Sequence, residues 1–196
     1  MGILKVSNSL SCWGGKVTDT TPFLSDIKEL RRRAREHMDK GAVTETYKGD
    51  VSRTVDILNQ ALATELVCVL RYKRHYYMAR GINKDAVAAE FLAHANEEQG
   101  HADRIADRIT QLGGAPDFSP QGLATRSHSE YVEGTTLTDM IRENLVAERI
   151  AIESYTEIIR YFGSNDPTSR RLMEEILAVE EEHANDMADL LEQQGS

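Results

Sequence analysis

The sequence predicts an all-α protein: four long helices in a bundle, built as two antiparallel hairpins joined by one long crossover, behind an N-terminal extension. Three observations predict this. After about residue 50, apolar residues recur every three to four positions through four long stretches. Few residues separate the first stretch from the second, or the third from the fourth. About two dozen, "GGAPDFSPQGLATRSHSEYVEGTT", lie between the second and third, enough to run the roughly 40 Å length of such a bundle. Finally, the halves repeat. A shift of 83 places Leu62 on Leu145, Glu65 on Glu148 and Tyr72 on Tyr155, and a shift of 82 places Glu98 on Glu180 and His101 on His183.

Residues 1–49 form the extension. Gly, Ser and Thr dominate up to Thr21 without periodicity, which predicts an arm that is mobile or strapped on a neighbour. Ser25 then opens "SDIKELRRRAREHMDK", a short helix with a thin stripe of Ile27, Leu30, Ala34 and Met38, stopped at Gly41. Its four arginines stand in one segment with Asp26, Glu29, Glu36 and Asp39, which reads as a solvated face rather than a nucleic-acid arm.

The bundle domain spans 50–193. The first long helix covers about 51–80, with Val55, Leu58, Leu62, Glu65, Val69, Tyr72, Tyr76 and Ala79 along its stripe and Gly81 as its stop. The second covers about 84–112, with Val87, Phe91, His94, Glu98, His101, Ile105 and Leu112. The third covers about 136–162, with Ile141, Leu145, Glu148, Ile152, Tyr155 and Ile159. The fourth begins near Pro167, a favourable first-turn residue, and carries Leu172, Ile176, Glu180, His183, Met187 and Leu190.

Composition narrows the class. A net charge of −9 over 196 residues argues against a DNA-coating surface. No apolar run approaches the ~20 residues of a membrane span. The opening "MGILKVSNSL" lacks the apolar stretch of a signal peptide, and Val6 breaks the myristoylation pattern. Two cysteines, Cys12 and Cys68, are too few for a disulfide framework, so a reduced, cytoplasmic setting is expected.

Six stripe residues carry the chemistry: Glu65, Glu98, His101, Glu148, Glu180 and His183. Glu98 with His101, and Glu180 with His183, are Glu-x-x-His pairs that a helix brings onto one face. Charged side chains in an apolar seam are costly unless paired or metal-bound, and four clustered glutamates repel one another. Two divalent cations cancel those charges. One glutamate from each of two helices, with Glu-x-x-His from each of the others, is the donor set of a carboxylate-bridged di-metal centre. Carboxylates with imidazole suit iron or manganese. Glu97, Glu181 and Glu182 read as solvated, and Cys68, three after Glu65, as a packing cysteine, with an approach to the metals as the alternative.

Residues 52–192 resemble the ferritin superfamily, its bacterioferritin and Dps-like mini-ferritin branches above all. The likeness rests on "LATELVCVLRY", "FLAHANEEQGHADRIADRI", "LVAERIAIESY" and "ILAVEEEHAND". It implies a ferritin-like four-helix bundle with two iron ions per subunit, manganese being the alternative. It implies oxidation of Fe(II) by oxygen or hydrogen peroxide and storage of Fe(III) in a hollow homo-oligomer. The six residues become the ferroxidase ligands. Glu98 with Glu148 or Glu180 are candidates for the bridging carboxylates. Tyr72 matches a tyrosine beside the family's centre, as electron donor, hydrogen-bond partner or plain core residue.

Three departures change the expectation. Gln99 stands where bacterioferritin ligates haem through methionine, so no haem is expected. His94 replaces an acidic residue and reads as a gate, an extra ligand or a hydrogen-bonding support. Thirteen residues follow His183, without the further helix of 24-subunit shells. A twelve-subunit shell is expected, with 24 as the alternative, aided by a short helix at "SHSEYVEG". Two other functions compete: a di-manganese catalase or di-iron peroxidase without storage, and a scaffold that metal only stabilises.

Overall fold

The computed structural model describes residues 26–81 and 84–194. The arm up to Ser25, with Cys12, lies outside them. The chain divides into two compact units, 1–36 and 37–196.

In the first unit, α1 (Ile27–Arg33) is capped by the Asp26 side chain, which accepts from the Lys28 amide at 2.7 Å. Arg32 pairs with Glu29 and Glu36 along its exposed face. The helix is shorter than the sequence predicts. It ends at Arg33, and a single 3-10 turn, Met38–Lys40, follows in the second unit. His37 adopts a left-handed φ of 50°, which interrupts the expected run to Gly41. Ile27 and Met38 are exposed, so the thin stripe gains no burial that would favour one continuous helix.

The second unit holds the four predicted long helices: α2 (Val51–Met78), α3 (Lys84–Gln111), α5 (Leu137–Phe162) and α6 (Pro167–Gln194). A one-turn helix, α4 (Leu123–Arg126), sits in the crossover, and no strand occurs among the described residues. The caps follow from sequence. Asp50 accepts from the Arg53 amide ahead of α2. Thr136 and Asp139 form a capping box on α5, and Asp166 accepts from the Ser169 amide ahead of α6. Gly163 ends α5 at φ 47°, a conformation side chains resist.

Neighbouring helices run antiparallel. On α3 and α6, residues 94, 97, 104 and 108 meet 186, 183, 175 and 169 in turn. On α2 and α5, Glu65 meets Tyr155 while Tyr72 meets Glu148. The crossover lies along α2. Asn59 holds Ala115 and Asp117, Thr64 the amide of His128, Arg71 Ser129 and Glu130, and His75 the carbonyls of Val132 and Glu133. These contacts overturn the short helix expected at 127–134. Its backbone groups bond α2 side chains instead of one another, and the helical turn forms just before it, at α4.

Two apolar clusters fill the interior. One joins Leu58, Leu62, Ile105, Ile109, Phe162, Met173 and Ile176. The other joins Tyr72, Val87, Phe91, Ile141 and Met187. The six stripe acids and histidines lie between them. No helix among the described residues is long and apolar enough to cross a membrane.

Candidate metal centre

All six sequence-predicted residues converge at mid-bundle. Glu65 comes from α2, Glu98 and His101 from α3, Glu148 from α5, Glu180 and His183 from α6. None is more than 5 % exposed. Buried alanines on α2, α3 and α5, Ala61, Ala95, Ala102, Ala147 and Ala151, leave room for the helices to approach at this level.

Donor atoms fall into two overlapping groups, each within 4.8 Å throughout: Glu65, Glu98, His101 and Glu180, then Glu98, Glu148, Glu180 and His183. Glu98 and Glu180 belong to both. His101 Nδ1 lies 2.9 Å from Glu180 Oε1, 3.3 Å from Glu98 Oε2 and 3.5 Å from Glu65 Oε2. His183 Nδ1 lies 3.5 Å from Glu180 Oε2 and 3.6 Å from Glu98 Oε1. Both imidazoles therefore turn Nδ1 inward.

Without a cation these groups compete for protons. Burial, then the Glu98 charge, raises Glu65 to about 8. Burial and the charges of Glu98 and Glu180 push Glu148 well above the carboxylate range. Burial alone would lift Glu98 too, but its polar contacts with Glu65, His101 and His183 hold it below its ordinary value. Burial opposes charge on both histidines, yet the carboxylates around them raise His101 to about 12 and His183 to about 11. Even so, Glu98 Oε1, Glu148 Oε2, both Glu180 oxygens and His183 Nδ1 make no hydrogen bond. Orphaned buried acceptors around shared donors fit two divalent cations, which would draw on the lone pairs that protons leave unused.

The surroundings repeat the two-fold. Tyr72 donates its hydroxyl to Glu148 Oε1, and Tyr155 donates to Glu65 Oε1. The sequence marks Tyr155 only as a stripe residue, although the shift of 83 pairs it with Tyr72. Glu97, read as solvated, reaches across from α3 so that its Oε2 lies 2.6 Å from His183 Nε2. A carboxylate on the outer nitrogen of a ligating histidine fixes which nitrogen faces the metal. That contact joins different helices, so no spacing in the chain announces it.

His94 stacks on His183, ring centroids 3.8 Å apart, and its Nδ1 lies 3.1 Å from the Tyr72 hydroxyl. Burial and the His183 charge lower its pKa. Cys68 is buried, its thiol pushed up by burial, and its Sγ accepts from Arg71 at 3.3 Å. This arrangement is a packing role.

Comparison with known proteins agrees with the fold. A family model described as a ferritin-like domain matches residues 55–194. The bacterioferritin of Mycobacterium tuberculosis is 30 % identical over 137 residues, 69 % of this chain and 82 % of its own. The DNA protection during starvation protein of Pyrococcus furiosus is 30 % identical over 140 residues, 68 % of this chain and 74 % of its own. Among solved structures, a dodecameric thioferritin, the bacterioferritin-related protein of Bacteroides fragilis, superposes with a TM-score of 0.73 and 34 % identity. That match covers 76 % of this chain and 89 % of the other. The chain therefore belongs to the ferritin superfamily, with both bacterioferritin and Dps relatives.

Proposed function

We propose that the chain is an iron-oxidising and iron-storing protein that takes Fe(II) as substrate at a buried di-iron centre. The carrying observation is the pair of four-residue donor groups that share Glu98 and Glu180. Iron held there supplies the redox chemistry, giving electrons to oxygen or hydrogen peroxide. Glu98 and Glu180, common to both donor groups, would be shared by the two positions; Glu65 with His101 would complete one, and Glu148 with His183 the other. Tyr155 and Tyr72 anchor the outer glutamates, and Glu97 holds the His183 ring with Nδ1 inward. The two flanking apolar clusters keep bulk water from the donors.

The bacterioferritin and Dps relatives support storage in a shell of like subunits. The thioferritin's twelve subunits make twelve the expected number, a particle of about 264 kDa from twelve 22.0 kDa chains. Native mass spectrometry reads this directly; a 24-subunit mass or a dimer overturns it.

Anaerobic Fe(II) titration followed by stopped-flow mixing with oxygen or peroxide tests the centre. Two Fe(II) per subunit, fast oxidation and many irons retained support the proposal. Glu98→Ala and Glu180→Ala each abolish the fast phase in a folded bundle. Peroxide disproportionation without iron retention points to a catalase instead, and metal uptake with neither activity to a scaffold.

A further inference from the structure

The internal two-fold breaks on either side of the centre. His94 stands one helical turn before Glu98, but its counterpart one turn before Glu180 is Ile176. By the same shift of 82, Glu90 corresponds to Leu172 and Asp186 to Arg104. Because α3 and α6 are antiparallel, Asp186 comes to the same flank as His94. The opposite flank is closed by fully buried Ile176 and by Arg104 paired with Glu175 across the two helices. One flank is thus apolar and closed by an ion pair, the other acidic with an imidazole.

On the acidic flank His94 is 2 % exposed, and its outer nitrogen faces two carboxylates. His94 Nε2 lies 3.3 Å from Glu90 Oε1 and 3.4 Å from Asp186 Oδ2, with no hydrogen bond to either meeting ordinary geometry. Nδ1 is held by the Tyr72 hydroxyl, itself bonded to Glu148, and this turns Nε2 outward between the two carboxylates. A nearly fully buried imidazole thus aims one nitrogen into a pair of carboxylate oxygens, the arrangement of a chelate.

We propose that Glu90, His94 and Asp186 form a third divalent-cation site, one helical turn outside the di-metal centre and on one flank of it alone. The spacing suits a chelate. Bonds of about 2.1 Å from a metal to nitrogen and oxygen set donor-to-donor edges of about 3.0 Å at octahedral and 3.4 Å at tetrahedral angles. The donor atoms lie within 4.8 Å of one another. Two carboxylates and one imidazole select Fe(II), Mn(II) or Zn(II) over softer ions. The Glu90 and Asp186 side chains are 42 % and 50 % exposed, so a cation reaches them from solvent. The site uses none of the six residues assigned to the centre, so the two readings stand or fall separately.

Equilibrium dialysis of the full assembly against Zn(II) counts the sites. The expected result is three tight equivalents per subunit in the wild-type protein. In Asp186→Asn and in Glu90→Gln the third weakens by more than about tenfold while two stay tight. Anomalous diffraction above the zinc edge then places the third ion at His94 Nε2. Two equivalents in the wild-type protein, three undiminished in both variants, or no anomalous peak beside His94 overturns the proposal. A peak beside His94 with none between Glu98 and Glu180 upholds it and overturns the centre instead.

Discussion

At the scale of single residues, the site is a balance between protons and metal ions. Near pH 7 the metal-free centre holds protons on His101 and His183, raised to about 12 and 11, on Glu65, raised to about 8, and on Glu148. Two dications bring four positive charges, and these four protons must leave. Loading two Mn(II) per subunit without oxidant at pH 7 should therefore release about four protons, measured by pH-stat in unbuffered solution. Release of one or none means that the donors are not those named. The shared and outer carboxylates also separate. Glu98→Ala and Glu180→Ala disturb both metal positions and should abolish both binding equivalents, whereas Glu65→Ala and Glu148→Ala should leave one. Isothermal titration with Mn(II) distinguishes them. The convergence of these six residues is legible in the sequence because each sits in an apolar stripe where a charge is anomalous. Which two are shared is not, since sharing depends on how α3 and α6 face each other across the bundle. Glu97 escaped for the same reason.

At the scale of elements, helix periodicity and caps place α2, α3, α5 and α6 to within two residues of their observed ends. The crossover is less legible, because its backbone partners are side chains 55 to 70 positions earlier on α2. An ion-pair cluster ties the end of α3 to the start of α6. Arg108 donates to Asp166 at 3.0 Å and to Ser169 Oγ at 2.8 Å, and Tyr47 donates to Asp166 at 2.8 Å. Burial pushes Asp166 upward, but the bonds from Ser169 and Tyr47 and the Arg108 charge hold it below its ordinary value. Asp166→Ala removes the α6 cap and leaves a buried guanidinium without its counter-charge. The expected loss is on the order of 3 kcal/mol in urea denaturation. Arg108→Met with Asp166→Asn removes both charges together and should cost less than Asp166→Ala alone. A surface pair of no consequence would show neither effect.

At the scale of the whole molecule, the centre spends folding stability on metal readiness, and pH should expose this. A group whose pKa is higher in the folded than the unfolded state adds stability below the unfolded value and loses it as pH rises through the folded one. His101 and His183 start from 6.5 and Glu65 from 4.5 in the unfolded chain, and all three are raised in the metal-free fold. Between pH 7 and 9 the unfolded chain has shed these protons while the folded chain still holds most of them. Stability of the metal-free protein must therefore fall across that window. One such proton alone is worth about 2.7 kcal/mol over two pH units. His75, His94 and His128 are lowered, chiefly by burial, so their contribution is complete once pH exceeds 6.5 and does not oppose the fall. Metal reverses the situation, because the ligated donors of the folded state carry no protons to lose. With Mn(II) in excess, stability should stay level from pH 7 to 9 and exceed the metal-free value most at the alkaline end. Calorimetric unfolding with chelator and with Mn(II), at pH 7, 8 and 9, gives both curves. Parallel curves would mean that the buried acids and histidines titrate without regard to metal, and the centre would lose its physical basis.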